Sequence, residues 1–223
     1  SCRAKGFNVS IIDAEAERLS DEEVAERLKK VNPKLILFVV YGANPNAGTT
    51  GMIGAIRTAK SIKQEGITNP ICFVGSHVSA LPKEVINIET VDFILLNEGV
   101  YALHNLLREL DKESPSFNTV KGIAFKNGKD CVLNPPERIV PQSRMDQDLP
   151  GYAWDLLPYK EKPLDLYRAH YWHAEFKDEL RTPFAAIYTS LGCVFGCEFC
   201  MINILNRTDN SDGTTAQDSA IMR

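Results

Sequence analysis

The stretch Leu-Ile-Leu-Phe-Val-Val-Tyr, residues 35–41, is an unbroken apolar run. A run of this kind is typical of a strand that lies buried on both faces of a parallel sheet. Polar and glycine-containing residues follow at 42–50, and we expect this segment to be a loop. A helix is then predicted from about Gly51 to Glu65, closed by Gly66. The run therefore predicts one strand, loop and helix of an α/β fold.

The same alternation continues on both sides of the run. Upstream, residues 8–12 are predicted to be a short strand, and Ser-Asp-Glu-Glu at 20–23 is a capping box that starts a helix. That helix carries Val24, Leu28 and Val31 on one face. Downstream, a buried strand is predicted at residues 71–74, followed by a loop at 75–81 and a helix that begins at residue 82. A further buried strand is predicted at residues 93–96, followed by a loop at 97–100 and a helix at 101–110.

Strands that alternate with helices of this length indicate a doubly wound, Rossmann-like α/β sheet of the flavodoxin-like type. Ligands of such sheets bind at the carboxyl ends of the strands. Three loops, at residues 41–50, 75–81 and 97–100, are therefore predicted to face one site.

The second half of the chain has a different character. An Asn-Gly pair between two short β-prone runs predicts a hairpin at residues 123–133, an appendage that completes a first domain at residues 1–133. A proline-rich stretch follows, and we interpret residues 134–180 as a linker. Residues 184–190 are predicted to be a strand, which belongs to the start of a second domain at residues 181–223.

Composition narrows the class of protein. The 223 residues carry 25 Lys and Arg against 29 Asp and Glu, a net charge of −4, and no long run of one sign points to a nucleic-acid surface. No apolar stretch approaches the ~20 residues that cross a bilayer, so we expect a cytoplasmic protein without a membrane span. The chain opens without Met, and residues 1–6 look like the last turn of a helix closed by Gly6. We therefore expect a piece of a longer protein whose first strand precedes Ser1.

Three cysteines near the end of the chain give the strongest indication of chemistry. Cys193, Cys197 and Cys200 are spaced C-x3-C-x2-C, so three thiolates can converge on one metal centre. A [4Fe-4S] cluster held by three cysteines leaves one iron free for a substrate or cofactor. The alternatives are a zinc site in which His170 or His173 supplies the fourth ligand, and a set of buried thiols. The cysteines at positions 2, 72 and 131 are interpreted as structural.

The residues around this triplet carry a resemblance. Residues 189–203, Thr-Ser-Leu-Gly-Cys-Val-Phe-Gly-Cys-Glu-Phe-Cys-Met-Ile-Asn, closely resemble the cluster loop of radical S-adenosylmethionine (SAM) enzymes. In that family the loop follows the first strand of a partial (β/α) TIM-type barrel. The resemblance implies that Cys193, Cys197 and Cys200 ligate three irons of a [4Fe-4S] cluster, while SAM chelates the fourth. It also implies that Phe199 binds SAM near its adenine.

The first domain carries a second resemblance. Residues 74–82 (Val-Gly-Ser-His-Val-Ser-Ala-Leu-Pro) and 91–99 (Val-Asp-Phe-Ile-Leu-Leu-Asn-Glu-Gly) look like the cobalamin-binding domain that precedes the barrel in one branch of radical SAM proteins. A flat corrin needs close approach from small residues at the strand ends. The resemblance implies that nine residues bind cobalamin: Tyr41, Gly75, Ser76, His77, Ser79, Ala80, Leu81, Glu98 and Gly99.

His77 is the histidine of this predicted site. A lone loop histidine is more often a hydrogen-bonding residue than a metal ligand. Many cobalamin carriers ligate cobalt from an Asp-x-His-x-x-Gly motif, which is not visible in this sequence. Because the radical SAM branch usually lacks that histidine, the resemblance implies cobalt without a protein imidazole.

Both resemblances together imply a cobalamin-dependent radical SAM enzyme. By resemblance, an external electron donor of the flavodoxin or ferredoxin type reduces the cluster, which cleaves SAM to methionine and a 5′-deoxyadenosyl radical. That radical abstracts a hydrogen from a small-molecule substrate, and methylcobalamin then delivers a methyl group to an unactivated carbon.

Other functions remain open at this point. The same cofactors can serve a cyclisation or a rearrangement, and two alternatives of other classes are a zinc-stapled α/β binding module and a non-catalytic corrinoid carrier. A barrel needs further strands beyond the cysteine loop, so this chain alone is expected to be inactive.

Overall fold

A computed structural model of the chain describes residues 1–41, 45–159 and 164–187. Five strands form its sheet: β1 Ile36–Val40, β2 Ile71–Gly75, β3 Phe93–Leu95, β4 Ile123–Asn127 and β5 Asp130–Leu133. Six α-helices are described: α1 Asp21–Val31, α2 Pro45–Gln64, α3 Ser76–Ala80, α4 Pro82–Ile86, α5 Val100–Leu110 and α6 Met145–Asp148. Short 3-10 helices cover Cys2–Lys5, Phe117–Thr119, Gln142–Arg144, Trp154–Leu156, Asp165–Tyr167, Tyr171–Ala174 and Asp178–Leu180.

The five described strands form one sheet in the order β1-β2-β3-β4-β5. The first three are parallel, and Val40 lies opposite Gly75 where β1 and β2 end. The hairpin β4–β5 joins the sheet through an antiparallel pairing of β4 with β3. The predicted α/β fold is therefore confirmed, and the hairpin predicted as an appendage is an integral edge of the same sheet.

Helices cover both faces of the parallel strands. Ile71, Phe73 and Ile94 face a core that is closed by α1, α2 and α4, whereas Cys72 and Leu95 face a second core under α5. Every residue of β2 is buried, as predicted for that strand. The apolar run 35–41 also predicted a strand buried on both faces, but β1 lies at one end of the described sheet and Val39 is 64% exposed, so that prediction was wrong. This alternation of faces is the doubly wound arrangement that the sequence indicated.

Helix α1 begins as the sequence predicted. The Ser20 hydroxyl accepts a hydrogen bond from the Glu23 amide at 3.2 Å, and the Glu23 carboxylate accepts one from the Ser20 amide at 2.7 Å. Val24 and Leu28 are buried as expected. Val31, predicted on the same face, is half exposed because it is the last helical residue before the left-handed C-cap Asn32.

Helix α2 starts earlier than predicted, at Pro45 instead of about Gly51. Proline is favoured in the first turn of a helix, where its missing N–H costs no hydrogen bond. Gly48, which was predicted to lie in a loop, and Gly51, which was predicted to begin the helix, both allow close packing. A Cβ on Gly48 would lie 2.6 Å from the Ser76 hydroxyl oxygen, and one on Gly51 would lie 3.3 Å from Val40 Cγ1.

Three further expectations were wrong in the described residues. Residues 8–12 are not a strand, because no described strand pairs with them, although Ile12 packs against the core under α2. Most of the predicted loop 75–81 is the helical turn α3. Residues 184–187 are not a strand either, and only Pro183 makes an isolated bridge, to Arg168. Residues 188–190 lie outside the described part.

Several described residues between the sheet domain and residue 187 contact that domain. Asp148, with its side chain 1% exposed, accepts hydrogen bonds from Lys5, Tyr101 and Arg144. The Tyr167 hydroxyl donates to Asp13 at 2.5 Å. These contacts fix the proline-rich stretch to both the N-terminal 3-10 helix and α5.

Candidate functional site

The carboxyl ends of the three parallel strands meet at one edge of the sheet. The Tyr41 hydroxyl, just after β1, donates to the Asn97 carbonyl oxygen at 3.4 Å, just after β3. The Asn97 amide in turn donates to the Ser79 hydroxyl oxygen on α3 at 2.9 Å. The structure therefore brings together residues from the three segments that the sequence predicted to face one site.

Gly75 and Gly99 belong to this edge, but the space above each Cα is filled by the protein itself. Gly75 has φ +157°, and a Cβ there would lie 2.2 Å from the Val40 carbonyl oxygen. Gly99 has φ +68°, and a Cβ would lie 3.1 Å from Leu95 Cβ and 3.2 Å from Val74 Cγ2. Both glycines let the backbone turn against neighbouring strands, and neither leaves room for a ligand at its own Cβ position.

The exposed part of the edge comes from other predicted residues. Tyr41 is 54% exposed and Leu81 39% exposed, and Ala80 is also exposed. Ser76 and Ser79 lie half-buried between them and the strand ends. This surface combines an aromatic ring and aliphatic groups with hydroxyls, which fits a flat, largely apolar macrocycle that carries a polar rim.

His77 ties the turn α3 to helix α2. Its Nδ1 lies 3.2 Å from the Thr49 hydroxyl oxygen. The sequence favoured a hydrogen-bonding role for this histidine over metal ligation, and a contact of that kind is present.

Glu98 connects the edge to the stretch of chain after the hairpin. Its carboxylate accepts a hydrogen bond from the Val140 amide at 3.1 Å, in the stretch that follows the hairpin. Desolvation raises the pKa of Tyr41, and the negative charge of Glu98 raises it further, so the phenol stays neutral at physiological pH. A small cleft on this side is lined by residues 96–102 and 137–139.

Two residues at the edge were not among the predicted cobalamin contacts. Asn97 joins all three segments through its backbone and has φ +55°. Asparagine tolerates this left-handed conformation better than most residues. An asparagine directly ahead of Glu-Gly could therefore have indicated a tight turn at this position. Thr49 holds His77, but its position on α2 could not be foreseen while residues 42–50 were interpreted as a loop.

The predicted cluster residues Cys193, Cys197, Cys200 and Phe199 lie outside the described residues. Of the other cysteines, Cys72 is fully buried, and burial raises the pKa of its thiol. Cys131 is exposed and donates to the Asn87 side chain. The described part of the chain contains no group of three His, Cys, Asp or Glu side chains that could hold a metal ion. In the same residues, no helix is both long and apolar enough to cross a membrane.

Comparison with known proteins identifies the domain that carries this edge. The model of the B12-binding domain family matches residues 1–107, which include all three strand ends. The domain also resembles part of a solved structure, the radical S-adenosylmethionine methyltransferase TsrM from Kitasatospora setae. The TM-score is 0.50 at 15% identity, over 61% of this chain and 26% of that one. This likeness supports the fold.

Curated relatives extend the similarity beyond the first domain. An uncharacterized methyltransferase, PH0819 of Pyrococcus horikoshii, is 29% identical over 195 residues, which cover 86% of this chain and 37% of that protein. An anaerobic magnesium-protoporphyrin IX monomethyl ester cyclase of Synechocystis is 24% identical over 197 residues, 87% of this chain and 34% of that protein. The corresponding cyclase of Cereibacter sphaeroides is 25% identical over 196 residues. The chain thus spans about a third of the length of these relatives.

Proposed function

We propose that this chain, which belongs to the radical SAM proteins that carry a B12-binding domain, is the cofactor-binding part of a cobalamin-dependent radical SAM enzyme. One observation carries the proposal. The B12-binding match at residues 1–107 contains the sheet edge where Tyr41, Ser79 and Asn97 are joined by hydrogen bonds. A bound [4Fe-4S] cluster and cobalamin would supply SAM cleavage and methyl transfer respectively.

In this proposal the described residues hold and orient the corrin. Tyr41, Ala80 and Leu81 form the exposed apolar surface on which a macrocycle can lie. The network of Tyr41, Ser79 and Asn97 keeps the three segments at a fixed separation, because each partner comes from a different strand end. A surface that is rigid before binding loses little conformational entropy when the cofactor binds.

His77 is assigned a positioning role. Its contact with Thr49 holds α3 against α2. The cobalt would then have no imidazole ligand from this part of the chain, as the family resemblance implies. Glu98 and Gly99 shape the turn behind the surface, and Gly75 and Ser76 begin α3.

The catalytic half of the proposal concerns the cysteine triplet. Cys193, Cys197 and Cys200 would hold the cluster and Phe199 would contact SAM, in a catalytic domain that starts at residues 181–223. Residues 1–133 would be the cobalamin domain and residues 134–180 the connection. An external electron donor and a small-molecule substrate complete the proposed reaction.

Methyl transfer is the proposed outcome for the whole protein. It is favoured by the relative named as a methyltransferase, which has the higher identity of the two kinds of relative reported above. Cyclisation is the second candidate, because two relatives are named as cyclases. To test methyl transfer, full-length protein is incubated with SAM and a reductant, and the products that accumulate are identified. These products distinguish methyl transfer from uncoupled SAM cleavage. Methyl transfer yields S-adenosylhomocysteine beside 5′-deoxyadenosine, whereas a Cys197→Ala variant should yield neither.

Cobalamin binding is tested by blocking the exposed surface. An Ala80→Trp variant places an indole where the macrocycle would lie, and because Ala80 is exposed the substitution should leave folding intact. We expect the Kd for hydroxocobalamin, measured by absorbance titration, to rise at least tenfold, or by roughly 1.4 kcal/mol. Ala4→Trp is the matched control, since Ala4 is also exposed but lies in the N-terminal 3-10 helix. Equal affinity of the Ala80 variant and the unmodified chain would contradict the proposed surface.

A further inference from the structure

Residues 164–187 form a well-organised unit. Arg181, with its side chain 4% exposed, donates to the Ala169 carbonyl oxygen at 2.6 Å and to the Asp165 carboxylate. Its guanidinium also lies 4.2 Å from the centre of the Tyr171 ring. Leu164, Ala169 and Ala174 are buried in the same unit. A buried arginine with these partners gives the unit a defined conformation.

The same unit exposes an unusual amount of apolar surface. Seven large apolar side chains are exposed among its 24 residues, against ten in the other 156 described residues. The seven are Leu166, Tyr171, Trp172, Phe176, Leu180, Phe184 and Ile187. Such a concentration marks a surface that is covered by something else in the working molecule.

Part of this surface is a continuous set of ring contacts, two of them stacked and one tilted, which we call the aromatic patch: His170, Trp172, His173 and Phe184. Ring centres of His170 and Trp172 are 4.4 Å apart, those of Trp172 and His173 are 5.8 Å apart, and those of His173 and Phe184 are 6.1 Å apart. Trp172 is nevertheless 63% exposed and Phe184 48% exposed. The rings pack against each other and leave one side open.

We propose that the aromatic patch is the docking surface for residues 188–205 of this chain, the segment that contains the three cysteines. The segment continues directly from the patch, since only three residues separate Phe184 from position 188. A short connection makes the entropic cost of closing this contact small. Continuity therefore favours this occupant over a second copy of the chain or a separate protein.

The composition of residues 188–205 also fits an apolar surface. The segment reads Tyr-Thr-Ser-Leu-Gly-Cys-Val-Phe-Gly-Cys-Glu-Phe-Cys-Met-Ile-Asn-Ile-Leu and has one charged residue, Glu198. The apolar side chains of the segment and those of the aromatic patch both gain from removal from water. Contact of the segment with Trp172 and Phe184 buries both sets. If the proposed function holds, the patch would also shield the metal centre from solvent.

Hydroxyl-radical footprinting of the metal-free chain tests the docking without any variant. Trp154 serves as an internal reference, because it is 39% exposed whereas Trp172 is 63% exposed with the patch open. Docking predicts that Trp172 is oxidised more slowly than Trp154. Faster oxidation of Trp172 than of Trp154 would overturn the proposal. Protection of Trp172 that disappears on dilution would also overturn it, because the occupant would be a second molecule.

A variant of the segment gives the reciprocal test. Phe195→Ser together with Ile202→Ser removes two large apolar side chains from residues 188–205, and we expect oxidation of Trp172 to rise several-fold until it exceeds that of Trp154. Ile53→Ser is the control, because Ile53 is 77% exposed on α2 and lies outside the patch. An unchanged ratio in the double variant would contradict the docking. Because no metal or cofactor is present, a negative result leaves the proposed function untouched.

Discussion

At the scale of single residues, the buried carboxylate of Asp148 has three donors around it. Lys5, Tyr101 and Arg144 donate to its carboxylate at 2.7, 2.6 and 2.8 Å. Hydrogen bonds from Arg144 first, then from Lys5 and Tyr101, hold its pKa well below the usual range for a carboxyl. The carboxylate therefore stays charged at any pH at which the protein is handled.

Replacing Asp148 with Asn should lower the melting temperature by several degrees. The amide cannot accept all these hydrogen bonds or neutralise the two cations, and its buried NH2 group would face donors instead of acceptors. Asp155→Asn is the matched control, because Asp155 also pairs with an arginine, Arg3, but its side chain is 57% exposed. Equal melting shifts for the two variants would show that burial of Asp148 is not what makes it important.

His104 makes stability depend on pH. It is 2% exposed, with Nε2 3.0 Å from the Ser1 hydroxyl oxygen. Burial lowers its pKa, and the positive charges of Lys5 and Arg108 lower it further, against an opposing effect of Asp148. Below the unfolded-state value of about 6.5, the unfolded chain binds a proton that the folded chain does not. Stability present above this pH is therefore lost as the pH falls toward the folded-state pKa.

Urea unfolding at pH 7.5 and pH 5.5 measures this effect. The unmodified chain should be less stable at the lower pH, and His104→Phe should remove much of the difference. A variant that retains the full difference would assign the pH dependence to other groups.

At the scale of elements, the buried strands were predictable and the segments around them less so. The runs at residues 35–41, 71–74 and 93–96 became β1, β2 and β3 with shifts of one residue at their ends. An unbroken apolar run leaves a strong local pattern. Burial on both faces was predicted correctly for β2 and β3 but not for β1, where Val39 is 64% exposed. The strand prediction for residues 8–12 was wrong because a strand also needs a pairing partner. The sequence of these residues does not reveal whether a partner exists.

The glycines show why the segments after the strands were harder to predict. At Gly48 and Gly51 the absence of a Cβ lets α2 approach the end of β1 closely. When only local sequence is considered, glycine indicates a loop. The site edge was predictable from topology, because parallel strands end together. The hydrogen bond from Asn97 to Ser79 depends on tertiary packing and could not be predicted from the sequence.

The close approach of β1 and β2 predicts the effect of a methyl group at Gly75. Gly75→Ala should cost clearly more than 2 kcal/mol of unfolding free energy, because its Cβ would meet the Val40 carbonyl oxygen at 2.2 Å. Gly128→Ala is the control, since Gly128 also has a positive φ but no atom within 4 Å of the added Cβ. There we expect about 1 kcal/mol from backbone strain alone. Urea denaturation of both variants checks the difference, and similar costs would mean that the strands can separate to admit the methyl group.

At the scale of the whole molecule, the stretch after the hairpin is the part that composition described least well. Its prolines indicated a linker, and the structure shows it held to the sheet domain through Asp148, Val140 and Tyr167. Packing of this kind is carried by scattered side chains without periodicity, so no sequence pattern announces it. The Tyr167 hydroxyl thereby ties the unit that carries the aromatic patch to Asp13 of the first domain.

The proposed function requires a cobalamin domain and an open iron–sulfur cluster in one chain. Elemental analysis of protein that is reconstituted anaerobically with iron, sulfide and hydroxocobalamin, and then desalted, tests both halves in one measurement. We expect about one cobalt and about four iron atoms per chain, with little zinc. Stoichiometric zinc without iron, or no retained cobalt, would contradict it.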